Sequence, residues 1–552
     1  MEDINFDELD DKTKLIVSKM EKVIKNKNSE IQSKNKEIED LKNQLAFLKG
    51  QIINKNRKMF GKSSEQVDED QLCFFNEAEK DSDLKMTEPE IESISYNRKK
   101  STIHNGKKDN ISNLKRIIIE HKLDDDQKNC NKCGHQLSLI GIQTKELLKF
   151  KPAEIYIEEH RTEVWACKNC EAEADKANII SVNGPKTLLH KSMASNELAA
   201  HVIIMKYLHS MPLKRMETYF QMMDVSLSRQ TLSNWVINSA CELECVYDCM
   251  KHNLLKRNYI HADETPVKVI DSKGKESKSK HYMWVYVSDN LESSIILYDY
   301  QKTRSSSCPV QFLKDFSGYL QTDGYSGYNK VEHVKRLYCL AHIRRKFFDI
   351  ITELNGEALK QSRAIIGFNY CEKLYSIEKD LREQYSGSDN YYDDRHRIRL
   401  EKSLPIFNEF QKYVDVEIPD ALPASALGKA LSYTQKLLPN MKAFFTDGSL
   451  DIDNNAAERV VKLFVIGRKN WLFSNTPKGA RSSAIIYSIV ETAKANGLAV
   501  EKYLIYLFDV LSKTENRNMD SLKDYMPWSS ELPDYLYSKS KKKTLKTYFL
   551  KI

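Results

Sequence analysis

Two aspartates occupy matching places in the chain, each at the end of a strand-like run. Tyr259-Ile260-His261-Ala262-Asp263-Glu264-Thr265 reads as a strand closing on an acidic pair. Tyr319-Leu320-Gln321-Thr322-Asp323-Gly324-Tyr325 reads as a shorter one closing on Asp323, with a glycine directly after it. Between them, residues 281–287 and 294–300 are rich in β-branched and aromatic residues, as half-buried strands are, and residues 308–316 have helical spacing. If the first and fourth strands are neighbours, the two carboxylates lie side by side, and hard divalent cations want such oxygen ligands. Two cations about 3.5–4 Å apart stabilise the attacking and leaving oxygens of an in-line phosphoryl displacement. Taken singly, each aspartate is an ordinary turn residue; the order strand, strand, strand, helix, strand favours the metal reading.

A second chemistry lies upstream. Cys130-x-x-Cys133 and Cys167-x-x-Cys170 are two knuckles separated by residues 134–166. Four thiolates complete a tetrahedral zinc shell with no open position, so the expected role is structural. Strand-like runs at residues 143–150 and 154–164 suit a zinc ribbon with a long hairpin. His135 is a lesser competitor as a ligand. Cys241, Cys245 and Cys249 fall at helical spacing and read as a buried helix face.

The elements around these groups follow from periodicity and caps. Residues 14–56 carry apolar residues at Val17, Met20, Ile24, Ile31, Ile38, Leu41, Leu45, Leu48 and Ile52, the a/d stripe of a coiled coil, interrupted by Lys27 and Lys34. Self-association is the expected use; a single amphipathic helix on its own chain fits as well. Residues 66–112 are polar and charged, as linkers are. Residues 196–207 read as a helix, Pro212 opens another, and Ser228 caps a third over 229–239. Two helices joined by a short turn fit a helix-turn-helix and fit an ordinary helical hairpin equally; in the first case Arg229, Gln230 and Asn234 face a groove. Residues 334–338 form a fifth strand. A helix starting at Cys339 carries His342, Arg344 and Arg345, with cations suited to a phosphate backbone. Residues 350–445 run as polar helices. Asn454 or Asn455 caps a helix with Glu458 in its first turn. Gly467-Arg468-Lys469-Asn470-Trp471 interleaves cations with aromatics, as nucleic-acid surfaces do.

At 552 residues the chain holds several domains. Its charge of +7 permits a nucleic-acid partner without requiring one. It contains no apolar run of about 18 residues, so no membrane span is expected. The acidic N-terminus lacks a signal-peptide core, and the eleven cysteines are read as belonging to a reducing cytosol.

Taken together, several strings resemble the transposases of the insertion sequence 66 family, a branch of the DDE transposases. They are FGKSSEQ, CNKCG, ACKNCE, KYLHSMPLKRMETYF with SRQTLSNWV, HADETPVKV, TDGYSGYN, CLAHIRRKFFD, and the long run from DNNAAER to ETAKANG. They fall in the family's order across about residues 57–505. The resemblance implies a multidomain α+β chain with these parts: a coiled coil (1–60), a linker (61–113), a zinc ribbon (114–182), helix-turn-helix-like DNA-binding helices (183–254), a ribonuclease H-like core (255–349 and 451–510) interrupted by an all-helical insertion (350–450), and a basic tail (511–552). It implies Asp263, Asp323 and Glu458 as catalytic acids holding two Mg²⁺ (or Mn²⁺) ions. Glu458 is not singled out by spacing among 78 acidic residues; Asp451 and Asp453 are its rivals, and Glu264 is a rival to Asp263. Cys339 and His342 fall on a CxxH signature of related enzymes, with Arg345 beside them in a supporting role. One structural Zn²⁺ is implied at Cys130, Cys133, Cys167 and Cys170. The implied activity is binding of an element's terminal repeats, DNA strand cleavage and strand transfer, in the bacterial cytoplasm and on the nucleoid when DNA-bound. The implied partners are double-stranded DNA, a second copy or more of the chain, and accessory proteins of the same element. DNA contacts are expected at Arg229, Gln230, Asn234, Arg344, Arg468, Lys469 and Trp471. A DNA-binding relative without catalysis, and a nuclease without strand transfer, are the alternatives.

Overall fold

The protein is described here by a computed structural model. It describes residues 18–20, 22–38, 41–42, 118, 153–167, 178–181, 183–270, 280–288, 293–354, 359, 361–385, 388 and 390–538. The chain divides into one unit of Gly61–Tyr156 and another formed by Met1–Phe60 with Ile157–Ile552; the elements below belong to the second. Residues 22–38 are helical, and the stripe residues Met20, Ile24, Ile31, Ile38 and Leu41 are exposed. Val17, Leu45, Leu48 and Ile52 lie outside the described residues, as do Cys130, Cys133 and Cys170; of Cys167 only the backbone is described. Residues 153–163 make no ladder, so the expected strand at 154–164 shrinks to β1 (Val164–Cys167), paired antiparallel with β2 (Asn178–Ser181).

Four helices precede the central sheet. They are α1 (Asn196–Tyr207), α2 (Leu213–Gln221), α3 (Arg229–Glu242) and α4 (Glu244–Leu255). Ser195 and Ser228 cap α1 and α3, their hydroxyls accepting from Leu198 N and Thr231 N. The cysteine row on α3 and α4 differs from the expected buried face. Cys241 is exposed, Cys245 half-buried and Cys249 buried, because the helix breaks at Leu243 between the first and the others.

The sheet runs β5–β4–β3–β6–β7, from β3 (Tyr259–Val267), β4 (His281–Ser288), β5 (Ile295–Gln301), β6 (Gly318–Thr322) and β7 (Val334–Tyr338). The first three pair antiparallel; β6 pairs parallel to β3, and β7 parallel to β6. Gly318 (φ 148°) starts β6 because a Cβ there would sit 2.4 Å from Asn258 O. That close approach lets Tyr319 N donate to Asn258 O at 2.8 Å and brings β6 alongside β3. The outer edge of β5 is covered by the helix Pro477–Ala495, whose hydroxyls stand in for a missing strand. Thr492 Oγ1 accepts from Ile296 N and donates to Ile296 O, and Ser488 Oγ accepts from Tyr298 N.

After β7 come α6 (Leu340–Thr352), α7 (Ala364–Tyr385), α8 (Tyr391–Ile398), a π-helical turn (Arg399–Ser403), α9 (Leu404–Glu417) and α10 (Ala426–Met441). The short helix Ser307–Phe312 between β5 and β6 is α5. The later helices share one apolar cluster with the sheet, in which Leu337, Tyr338 and Leu340 pack with Phe347, Leu374, Phe407, Phe410, Leu431 and Leu437. The chain then returns as α11 (Asn455–Trp471), followed by α12 (Pro477–Ala495) and α13 (Val500–Lys513). The expected tail from 511 is packed through residue 538: Leu522, Met526 and Leu536 are buried, and Ala499 N donates to Leu536 O.

Candidate active site

The parallel register of β3 and β6 sets Tyr259, Ile260 and His261 level with Tyr319, Leu320 and Gln321. Carried two residues further, it sets Asp263 level with Asp323 on one face, since side chains alternate along a strand. Each carboxylate is anchored by a nearby backbone donor: Asp263 Oδ1 accepts from Glu264 N (2.8 Å) and Asp323 Oδ1 from Tyr325 N (2.9 Å). Burial, and after it the charge of Glu264, push the Asp263 carboxyl up to about 8; Asp323 and Glu458 add to this, and the hydrogen bond from Glu264 N opposes it. Acids gathered this closely repel one another, and a bound cation relieves that repulsion. The donor set is all oxygen, which fits Mg²⁺ or Mn²⁺.

Strand alternation turns Glu264 elsewhere. Its Oε2 accepts from Tyr328 OH (2.7 Å) and its Oε1 from Arg304 Nε (2.7 Å). Arg304 in turn lies over the Tyr325 ring at 3.9 Å. Asp451 is paired with Arg395 (3.1 Å) and stands 3.7 Å from His261 Nε2. Asp453 accepts from Tyr375 OH and from both nitrogens of Asn455. These three rivals are committed to structural partners. Glu458 is held more loosely: its Oε1 is 3.6 Å from His342 Nδ1 and 3.7 Å from Cys339 Sγ, and its Oε2 is 3.9 Å from Arg345.

What brings Glu458 here is the start of α11. Asn454 is its N-cap, but its side chain does not cap the helix. Instead Asn454 Oδ1 pairs with His261 Nδ1 (3.1 Å) and Nδ2 donates to Ala262 O (2.8 Å), latching α11 to β3 one residue before Asp263. Asn454 N donates to Cys339 Sγ (3.1 Å), and Leu340 N to Ile452 O (3.1 Å), tying the same turn to α6. Upstream, Glu378 is wholly buried between Arg395 and Arg399, and Arg399 also donates to the carbonyls of Asp447 and Leu450. His261, Arg304 and Tyr328 escape sequence reasoning, though His261 and Tyr328 sit inside the HADE and TDGYSGYN strings; Asn454 was read as a helix cap, and its bonds to β3 were not foreseen.

The residues expected to contact DNA separate into two groups. Arg229, Gln230 and Asn234 are exposed on α3, with Gln230 Nε2 donating to Asn234 Oδ1 (3.0 Å), and Lys469 is exposed. The others have partners within the chain. Arg344 is paired with Glu372 and lies over Phe368. Arg468 donates to Pro266 O and Thr265 Oγ1, and Trp471 packs edge-on to Phe464.

A family model described as "Transposase IS66 family" matches residues 191–482, just over half of the 552. Two further models match: a zinc-finger binding domain of transposase IS66 over residues 127–171, and "Transposase C of IS166 homeodomain" over residues 48–119. The last of these extends across the stretch read as a linker. Three proteins of Sinorhizobium fredii (strain NBRC 101917 / NGR234) are similar. The uncharacterized protein y4jD is 27% identical over 430 residues, 75% of this chain and 79% of that protein. The uncharacterized proteins y4qI and y4hP are 25% and 24% identical, covering 72% and 75% of this chain and 72% and 74% of those proteins.

Proposed function

The chain belongs to the IS66 transposase family, and on that premise we propose that it cuts and joins DNA at a three-acid site of Asp263, Asp323 and Glu458 on a ribonuclease H-like core. The observation that carries this reading is the parallel pairing of β3 with β6, whose register, carried two residues past His261 and Gln321, brings Asp263 level with Asp323; the charges of Asp323 and Glu458 both raise the Asp263 carboxyl. The strand order and directions support the core assignment. The looseness of Glu458 beside its committed rivals supports its choice as third acid.

Two Mg²⁺ ions, when bound, would lower the pKa of the attacking water or 3′-hydroxyl and neutralise charge at the phosphorus. Asp263 and Asp323 would hold them, with Glu458 completing the set. Glu264 N and Tyr325 N fix the two aspartates, and the Asn454 latch fixes Glu458 relative to them. Arg345 is exposed beside Glu458 and orients a phosphate. Arg229, Gln230, Asn234 and Lys469 are available to the DNA backbone or grooves. The zinc-finger match supports one zinc held by Cys130, Cys133, Cys167 and Cys170, and a role in binding the element's ends. The exposed apolar stripe at Met20, Ile24, Ile31, Ile38 and Leu41 supports pairing of two chains through a coiled coil. Among the described residues, no helix is long and apolar enough to cross a membrane.

The test is cleavage and joining of the element's end DNA in Mg²⁺ by the full chain and by Asp263→Asn, Asp323→Asn and Glu458→Gln, with gel shifts alongside. All three variants should bind ends and neither cut nor join. Near wild-type cutting by Glu458→Gln removes it from the site; cutting without joining by the native chain leaves a nuclease.

A further inference from the structure

We propose that Cys339, His342 and Glu458 form a second, zinc-type site, which shares Glu458 with the oxygen site at Asp263 and Asp323. One ligand atom from each lies within 4.8 Å of the other two. Zn–S of about 2.3 Å and Zn–N or Zn–O of about 2.0–2.1 Å at tetrahedral angles put ligand atoms roughly 3.3–3.5 Å apart. The Sγ–Oε1 and Nδ1–Oε1 separations of 3.7 and 3.6 Å nearly match this. One further observation points to a ligand. His342 Nδ1 is buried without a hydrogen-bond partner among the described residues, although its side chain is a quarter exposed.

Local structure explains the convergence. Cys339 is the N-cap of α6 and His342 lies in its first turn, three residues on, while Glu458 comes from the first turn of α11. Two helix starts thus face each other with three ligands between them. A thiolate and an imidazole select a borderline ion such as Zn²⁺ over Mg²⁺, which demands octahedral oxygen. Binding releases the thiol proton of Cys339 to solvent. Three protein ligands leave the fourth position to water, and the ion fixes Glu458. Ion binding stands on these residues alone; the consequence for Glu458 rests on its proposed role as third acid.

The test counts zinc, not turnover. Full-length protein is dialysed against Zn²⁺, and bound metal is measured by mass spectrometry, with circular dichroism as the check of fold. His342→Ala and His342→Gln should each hold one equivalent fewer than the native chain, whereas His342→Cys, which keeps a ligand at this position, should hold the native number. A Cys130→Ser/Cys133→Ser variant should lose the ribbon's equivalent and retain this one. Equal zinc in the native chain and folded His342→Ala overturns the site. The count is independent of DNA cleavage, so failure of the three-acid reading leaves it standing, and failure of the count leaves that reading untouched.

Discussion

Asp263→Asn should abolish cleavage and, in Mg²⁺-free buffer, make the protein more stable. The carboxyl is pushed up to about 8, mainly by burial and then by the charge of Glu264, against an unfolded value near 3.8. A raised acid binds its proton more tightly when folded, so its contribution to stability falls as pH rises from about 4 to about 8 and is level outside that window. At pH 7 the displacement amounts to a ceiling of about 4 kcal/mol, at about 1.36 kcal/mol per pH unit. Water reaching a half-buried group reduces this, and about 2 kcal/mol is the working figure. Asparagine carries no charge and keeps an oxygen for Glu264 N. At about 2–4 °C per kcal/mol for a domain of 150–250 residues, the melting midpoint should rise by about 4–8 °C at pH 8. The gain should vanish near pH 4. Thermal unfolding across pH 4–9 is the assay, read as a shift because a chain of several domains does not unfold in two states. Added Mg²⁺ should stabilise the native chain and leave the variant unmoved. An unchanged or lowered midpoint at pH 8 would refute the reasoning, because it would mean that no charge repulsion awaits a cation at this position.

Glu378→Ala leaves the wholly buried Arg399 guanidinium without a carboxylate and Arg395 with Asp451 alone, and should cost about 3–5 kcal/mol, read as a lower melting midpoint and faster proteolysis within the helices after β7. Burial alone would raise the Glu378 carboxyl, but the hydrogen bonds and charges of Arg399 and Arg395 hold it below its ordinary value; its stabilisation is therefore present at neutral pH and lost in acid. Asn454→Ala removes the buried bonds to His261 and Ala262 O and should cost about 1–3 kcal/mol. Cleavage should fall further than end binding, measured side by side with a gel shift.

The sheet was legible because its strands carry local signals. Residues 281–287 and 334–338 are strands in the structure, and 294–300 is shifted by one residue. Ser228 caps its helix as its position before Arg229-Gln230-Thr231 predicts. Asp323 follows the end of β6 as its string suggests, but β3 does not close at Asp263: it runs on to Val267, paired with β4 throughout, so Asp263 lies mid-strand. Glu458 was not legible, because nothing local distinguishes an acid in a helix's first turn. Its position is set by Asn454 reaching His261, 193 residues earlier in the chain. Residues 519–538 were misread as tail because their short turns show no long period; burial of Leu522 and Leu536 comes from tertiary packing. The cysteine row failed on a helix break at Leu243 that its spacing alone could not reveal.

The helices between Asp323 and Glu458 are therefore part of the packing of the sheet. Their apolar cluster is continuous with β7 and the start of α6, so they cannot come away without exposing that end of the sheet. Their charged centre, Glu378 with Arg395 and Arg399, grips the backbone of residues 447–450 and the carboxylate of Asp451. Asp451 N in turn donates to Tyr259 OH on β3 (3.1 Å). A line of contacts thus runs from these helices, through the loop before α11, to the strand that carries Asp263. Glu458 follows that loop by only a few residues, and a displacement of about 1 Å at a reacting centre can cost on the order of a hundredfold in rate.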